Sequence, residues 1–225
     1  MNIEVLIKDR INALWREFGQ EEYCKFSPYA NAEIPDNGLV FVGVNPSLTD
    51  KVKERLLKKS NIECEFHRLT YDVNIDYRYY KKFFDVAEKT KLNWGHIDIL
   101  YNRETKQKKV SQLLKTERGK DFIYKQCMIS KIVLDKIIND KTPRIFVVNN
   151  TLTRELLGEY HEEKPTRKST HWIGYDFIWD EALGTYTYKN NTFFFTSMLT
   201  GQRALDKGSY KRLIWHINQV KNKKM

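Results

Sequence analysis

The sequence predicts an α/β fold in which a central parallel sheet of four strands lies between two layers of helices. Four short apolar runs occur along the chain, and such runs are typical of strands buried on both faces of a parallel sheet. Segments with helical periodicity separate the runs, which favours the three-layer αβα arrangement. No linker or internal repeat interrupts the 225 residues, so one domain spanning 1–225 is expected.

Each element follows from a local pattern. Helices are predicted where apolar side chains recur at helical spacing, over residues 3–18, 48–60, 80–89, 121–139 and 153–157 and in a last helix capped by Ser209. Strands are predicted at the apolar runs, residues 39–42, 96–101, 144–148 and 192–195. Pro143 and Gly158 end the fourth and fifth helices. Two alternating aromatic runs, 175–179 and 185–188, predict a small antiparallel hairpin as an insertion.

The composition indicates a basic globular protein. Lys and Arg total 39 against 29 Asp and Glu, so the formal net charge is +10. Positive charge is concentrated in residues 51–60 and 201–225. A basic balance favours a polyanionic partner because phosphate contacts release counterions, although solvated lysine-rich faces give the same composition. A nucleic acid, with DNA first, is the expected partner.

The cysteines and the hydropathy of the chain indicate the compartment in which the protein is expected. Three scattered cysteines, Cys24, Cys64 and Cys127, indicate a reduced compartment rather than a disulfide framework. They show no zinc-type spacing with histidines, and phosphate-loop and hydrolase-elbow motifs do not occur. No apolar stretch reaches the roughly 20 residues that cross a bilayer, and residues 1–4 do not begin a signal peptide. We therefore expect a cytoplasmic monomer with no metal, no cofactor and no membrane partner.

Ligands of open parallel sheets bind beyond the carboxyl ends of the strands. The site is therefore expected from the loops after the four predicted strands, at residues 43–47, 101–105, 149–151 and 196–203. In the first loop, Gly43 lets a ligand approach the backbone, Asn45 offers an amide and Pro46 stiffens the turn. The alternative is an ordinary turn in which Asn45 caps its own loop.

Four motifs follow one another in an order found in one enzyme family. Residues 43–48 read G-V-N-P-S-L and residues 81–84 read K-K-F-F, and the segments 97–105 and 197–203 follow. They resemble G-I-N-P-G-L, N-R-F-W, a strand ending in D-R-P-T, and H/N-P-S-P/G-L-S-x-x-R. These motifs belong to the mismatch-specific uracil/thymine-DNA glycosylase branch of the uracil-DNA glycosylase superfamily. The resemblance spans residues 39–220 and is thin between the motifs.

The resemblance implies a DNA glycosylase, which flips a damaged or mismatched base and hydrolyses its N-glycosidic bond. It implies that Asn45 positions water or contacts the sugar, and with a shift of one residue in the last motif Thr196 takes the position that donates to a base oxygen. It also implies base contacts from Gly43, Val44, Pro46, Asn102 and Tyr77, with Phe66 or Tyr71 as alternatives to Tyr77. The implied DNA contacts come from Ser47, Ser197, Leu199, Arg203, Lys207, Lys211 and Arg212, with Leu199 as a wedge in the duplex.

One position departs from the family pattern. Phe195 falls where the family has a catalytic His or Asn, and a phenyl ring donates no hydrogen bond to a base oxygen; a register one residue later puts Thr196 there. Asn45 cannot act as a general base, since an amide does not titrate. A catalytically weak or inactive nucleic-acid-binding protein of the same fold is therefore the alternative function, and a hydrolase of free nucleosides or nucleotides is a third. For Leu199 a core contact, and for the basic residues a solvated face, are the alternatives.

Overall fold

A computed structural model shows a mixed α/β protein and describes residues 1–59, 62–68, 79–158, 170–201 and 203–224. The helices in these ranges are α1 (Ile3–Glu17), α2 (Asp50–Leu57), α3 (Lys81–Thr90), α4 (Gln107–Leu113), α5 (Glu117–Ile138), α6 (Thr151–Leu157) and α7 (Lys207–Lys224). The strands are β1 (Tyr29–Asn31), β2 (Leu39–Gly43), β3 (Glu65–His67), β4 (Trp94–Asp98), β5 (Ile145–Asn149), β6 (Ile178–Asp180), β7 (Thr185–Tyr188) and β8 (Asn191–Thr196). None of the described helices is long and apolar enough to span a membrane.

Six strands form one mixed sheet in the order β4-β2-β5-β8-β7-β6. Strand β2 pairs in parallel with β4 and β5, and β8 pairs in parallel with β5. The hairpin strands β7 and β6 continue the sheet in antiparallel pairing beyond β8. The predicted α/β class is confirmed, but a four-stranded parallel sheet as such is not, because the antiparallel hairpin pairs through β7 with the edge of β8 and makes one mixed sheet of six strands. Strands β1 and β3 form a second, two-stranded parallel sheet.

Helices cover both faces of the large sheet because successive side chains of a strand point to opposite faces. Val40 and Val42 of β2 join the core that contains α1 and α5. Leu39 and Phe41 join the core that contains α3 and α7. Every residue of β2 and β5 is buried, which confirms that their continuous apolar runs are strands covered on both sides.

Strand β4 ends at Asp98, three residues before its predicted end. The apolar residues Ile99 and Leu100 made the predicted strand too long. Their N–H groups still donate to the carbonyl oxygens of Gly43 and Val44, but these acceptors lie at the end of β2 and in the loop beyond it. The shorter strand brings the side chain of Asp98 to the carboxyl edge of the sheet. Strands β1 and β3 and helix α4 were not predicted, since each is too short to show a periodic pattern.

The turn before β2 requires glycine at position 38. Gly38 has a φ of +96°, and a Cβ there would lie 2.2 Å from the carbonyl oxygen of Asn93. Gly174 has a φ of +74°, but nothing lies within 4 Å of its Cβ position. We expect Gly38→Ala to lower the free energy of unfolding by clearly more than Gly174→Ala, for which the left-handed backbone alone costs about 1–2 kcal/mol. Urea unfolding measures both losses, and equal losses would contradict the expected clash.

Candidate functional site

A cleft of about 320 Å³ lies beyond the carboxyl ends of β2 and β4. Its walls come from the loop after β2, the end of β4, helix α2, the β1–β3 sheet and the residues just before α3. Seven side chains give the cleft its chemical character, those of Tyr29, Asn45, Arg55, Tyr79, Tyr80, Asp98 and Arg103. The volume is at the lower end of the range for small-ligand sites.

Asp98 is the one acid among the described residues that line the cleft. Its side chain is 10% exposed, and burial raises the pKa of the carboxyl to about 8. Gly43 is its partner in the β2–β4 ladder, and a Cβ on Gly43 would lie 2.3 Å from Asp98 Oδ1. The missing side chain at Gly43 therefore provides the space for the carboxyl group. A carboxyl that titrates near pH 8 can serve as a general base close to neutrality.

His96 lies next to Asp98 on the same face of β4 and is held in one tautomer. Asn31 Nδ2 lies 2.5 Å from the carbonyl oxygen of His96 and 3.2 Å from its Nδ1. Since a carbonyl oxygen only accepts, the amide nitrogen must face it, so Nδ1 also accepts and the ring proton lies on Nε2. Burial lowers the pKa of His96 to about 3. The Nε2 of this neutral ring lies 3.7 Å from Asp98 Oδ1, beyond hydrogen-bond distance.

Asn45 joins the loop after β2 to the loop after β4. Its Nδ2 donates to the carbonyl oxygens of Pro46 at 3.0 Å, Asn102 at 3.3 Å and Glu104 at 2.7 Å. Two amide hydrogens shared among three acceptors leave none for a ligand. These hydrogen bonds support the interpretation that Asn45 caps its own loop. They do not support a direct catalytic role for the Asn45 amide nitrogen.

Three cations surround one carboxylate in the wall of the cleft. Arg55 donates two hydrogen bonds to Glu65, at 2.9 and 2.7 Å, and Lys59 and Arg103 also pair with Glu65. Burial acts to raise the pKa of Glu65, but hydrogen bonds from Arg55 and Lys59 bring it below the ordinary value. We call these four residues the cation cluster. The formal charges of these four residues sum to +2, counted over the described part of the chain alone.

Tyrosine rings form the apolar part of the lining. Tyr79 and Tyr80 meet edge to face at 5.0 Å, and their rings lie 5.9 and 5.5 Å from His96. Burial raises the pKa of both phenols, and Tyr80 forms a hydrogen bond with Tyr29. Uncharged rings of this kind offer flat surfaces to a planar heterocycle.

The loops that carry the first and last motifs meet, as predicted. Asn45 and Ser47 on one side and Met198, Leu199 and Thr200 on the other line a second cavity of about 110 Å³. Strands β2 and β8 each pair in parallel with β5, so the carboxyl ends of both strands lie at the same edge of the sheet. Leu199, however, is 4% exposed and belongs to the core with α3 and α7. The prediction of an exposed apolar wedge is therefore wrong, and the core contact is the observed one.

Thr196 does not join Asn45 in the cleft. It lines a third cavity of about 210 Å³ together with Phe195 and Ser197. Strand β8 lies two strand spacings, or about 10 Å, from β2. The joint action of Thr196 and Asn45 on one base stays a prediction.

The other predicted site residues are dispersed. Val44, Pro46 and Asn102 are buried supports of the cleft, and Ser47 is exposed at its edge. Tyr77 and its alternative Tyr71 lie outside the described residues, and Phe66 packs half-buried in β3. The basic residues of the last loop and helix are exposed, namely Arg203, Lys207, Lys211 and Arg212. Their contact with DNA stays a prediction.

Sequence reasoning missed the residues that give the cleft its charge. Asp98 had a signal, since it is a carboxylate inside an otherwise apolar run that leads to a strand end. Arg55 was one cation among many in a basic helix, and Arg103 was one letter of a motif. Nothing local in the sequence indicated that both would reach Glu65, because β3 was not predicted.

Comparisons with known proteins give no family, since no family model, curated protein or solved structure matches the chain. Among the described residues, no group of three or more His, Cys, Asp or Glu side chains could hold a metal ion.

The buried Asp98 carboxyl should make the protein less stable as the pH rises. Folded Asp98 titrates near pH 8 and the unfolded side chain near pH 3.8, so the native state binds the extra proton between these values. Wild-type stability should fall relative to Asp98→Asn across this window, by at most about 1.4 kcal/mol per pH unit. Urea unfolding at pH 5 and pH 8 measures the difference, with exposed Glu54→Gln as the control. A gap between wild type and Asp98→Asn that does not change with pH would contradict the prediction.

Proposed function

We propose that the protein hydrolyses the N-glycosidic bond of a nucleobase, with a damaged or mismatched uracil-type base of DNA as the substrate class. The observation that carries the proposal is the shielded carboxyl of Asp98, which lines a cleft together with tyrosine rings and the side chains of Arg55 and Arg103. The motif resemblance supports the same reaction independently of Asp98. Base hydrolysis inside a pocket requires a flipped base or a substrate without a duplex.

Asp98 would act as the general base of this reaction. Its carboxylate takes a proton from water, the water oxygen bonds to the sugar C1′, and the C1′–N bond breaks with its electron pair leaving on the base. His96 is a positioning residue for this step, because its neutral ring lies beside the carboxyl, with Nε2 3.7 Å from Oδ1. Asp98 thus takes the role of general base, which Asn45 cannot take because an amide does not titrate. Asn45 instead fixes the two loops that border the reacting group.

A second candidate is a nucleic-acid-binding protein without catalysis. The observation in its favour is that Thr196 lines another cavity, while Phe195 occupies the usual His or Asn position of the resembling family. Such a protein would hold a base against Tyr79 or Tyr80 and release it unchanged. Its binding would weaken with salt, as phosphate contacts require.

Base release from a panel of single- and double-stranded DNAs carrying uracil and other lesions separates the two candidates. We expect alkali-labile sites with the wild-type protein. Asp98→Asn should lower the rate by about 10²- to 10⁴-fold, the usual contribution of a general base. Asp50→Asn is the matched control, because Asp50 is exposed at the start of α2. Salt-sensitive binding with no base release from any lesion would favour the second candidate.

The pH profile tests the role of Asp98 in the wild-type protein. The active form is the carboxylate, and the pKa of Asp98 is about 8. The rate of base release should therefore rise about tenfold per pH unit below pH 8 and level off above it. Single-turnover rates between pH 5 and pH 9.5 measure the profile. A rate that falls as the pH rises would mean that the protonated carboxyl acts instead, as a general acid.

A further inference from the structure

We infer that three aromatic side chains near the hairpin edge of the main sheet form a stacking surface for the bases of a single-stranded nucleic acid. The side chains are those of Trp179, Tyr186 and Phe195, and we call them the aromatic ladder. The inference goes beyond the proposed function, because binding at this surface involves no base release and the ladder does not line the cleft that holds Asp98.

The ladder crosses three neighbouring strands on one face of the sheet. Trp179 of β6 lies directly opposite Tyr186 of β7, and Tyr186 lies opposite Phe193 of β8. Phe195 follows Phe193 by two residues, so its side chain points to the same face. The ring centroids of Trp179 and Tyr186 are 5.2 Å apart, and those of Tyr186 and Phe195 are also 5.2 Å apart. The three rings therefore form one continuous row.

The row leads from the core into solvent. Phe193 is buried and Phe195 is half-buried. Tyr186 and Trp179 are 37% and 46% exposed. Single exposed apolar side chains are ordinary, but a contiguous exposed group of them is typical of a binding surface.

The orientation of the rings favours a nucleobase as the ligand. The planes of neighbouring rings are 76° and 67° apart, so each contact joins the edge of one ring to the face of another. Trp179 and Tyr186 have two faces each, and these contacts cover at most one face per contact. A base can stack on a face that stays uncovered, and such stacking tolerates any base because every base has a flat π-face.

The charges around the ladder suit an anionic strand. Arg154 of α6 is exposed and lines a cavity of about 210 Å³ together with Phe195, so a guanidinium lies at one end of the ladder. Asp180 follows Trp179 and therefore points to the opposite face of β6. Its carboxylate accepts a hydrogen bond from the N–H of Leu183 at 3.0 Å. A strand whose bases lie on the ladder thus meets a cation for a phosphate at the Phe195 end.

Fluorescence anisotropy of a labelled oligothymidylate of about 12 nucleotides tests the inference, since this length is within the range that single-strand-binding domains cover. Tyr186→Ala should weaken binding about 5- to 150-fold, the range for loss of one base–aromatic stack. Tyr124→Ala is the matched control and should leave binding unchanged. Tyr124 on α5 is 43% exposed and also meets a tryptophan edge to face, but it lies outside the ladder.

Two further pairs of variants test stacking and charge separately. Trp179→Phe keeps an aromatic face and should retain most of the binding, whereas Trp179→Leu keeps only apolar area and should weaken it as Tyr186→Ala does. Arg154→Gln should reduce the slope of log K against log salt by about 0.7, the value of one phosphate contact to a single strand. Lys136→Gln is its control, because Lys136 is exposed on α5 and does not line the cavity.

The inference is overturned if the oligothymidylate does not bind or if the two variants of any pair behave alike. A wild-type dimer that Trp179→Leu dissociates in sedimentation velocity would also overturn it, since the ladder would then be an interface between two copies of the chain. The oligothymidylate carries no uracil, so binding is measured without base release. Ladder binding with a failed glycosylase assay would reject the proposed function alone, and base release without an effect of the ladder variants on binding would reject the ladder alone.

Discussion

The site depends on a missing side chain at Gly43. This residue ends β2 directly opposite Asp98 in the β2–β4 ladder, where any Cβ would lie 2.3 Å from Asp98 Oδ1 and 3.1 Å from His96 Nε2. Glycine therefore allows a carboxyl and an imidazole to lie side by side at the edge of a buried sheet. Both groups stay uncharged near neutrality because burial opposes ionisation of either.

The cleft combines opposite electrical environments within a short distance. Among the described residues, Asp98 and the tyrosine rings form an uncharged part of the lining, and Arg55 and Arg103 form a cationic part. The Asn45 amide fixes these parts relative to one another, because it links the backbone after β2 to the backbone after β4.

The sequence predicted the order of the main helices and parallel strands because their patterns are local and strong. It did not predict that the hairpin extends the main sheet, since pairing between β7 and β8 is a tertiary choice. The loops after β2 and β8 were expected to form the site, and they do meet. Leu199, however, packs in the core, and Thr196 lines another cavity. Asp98, Arg55 and Arg103 line one cleft, and only contacts between distant segments of the chain bring them together.

Burial keeps the Asp98 carboxyl neutral at low pH and moves its ionisation close to physiological pH. The most direct measurement is a ¹³C NMR titration of the Asp98 carboxyl, assigned by comparison with Asp98→Asn. We expect a midpoint near pH 8, because the carboxyl is buried at the end of β4. A midpoint near 4, the ordinary value for an exposed aspartate, would contradict it.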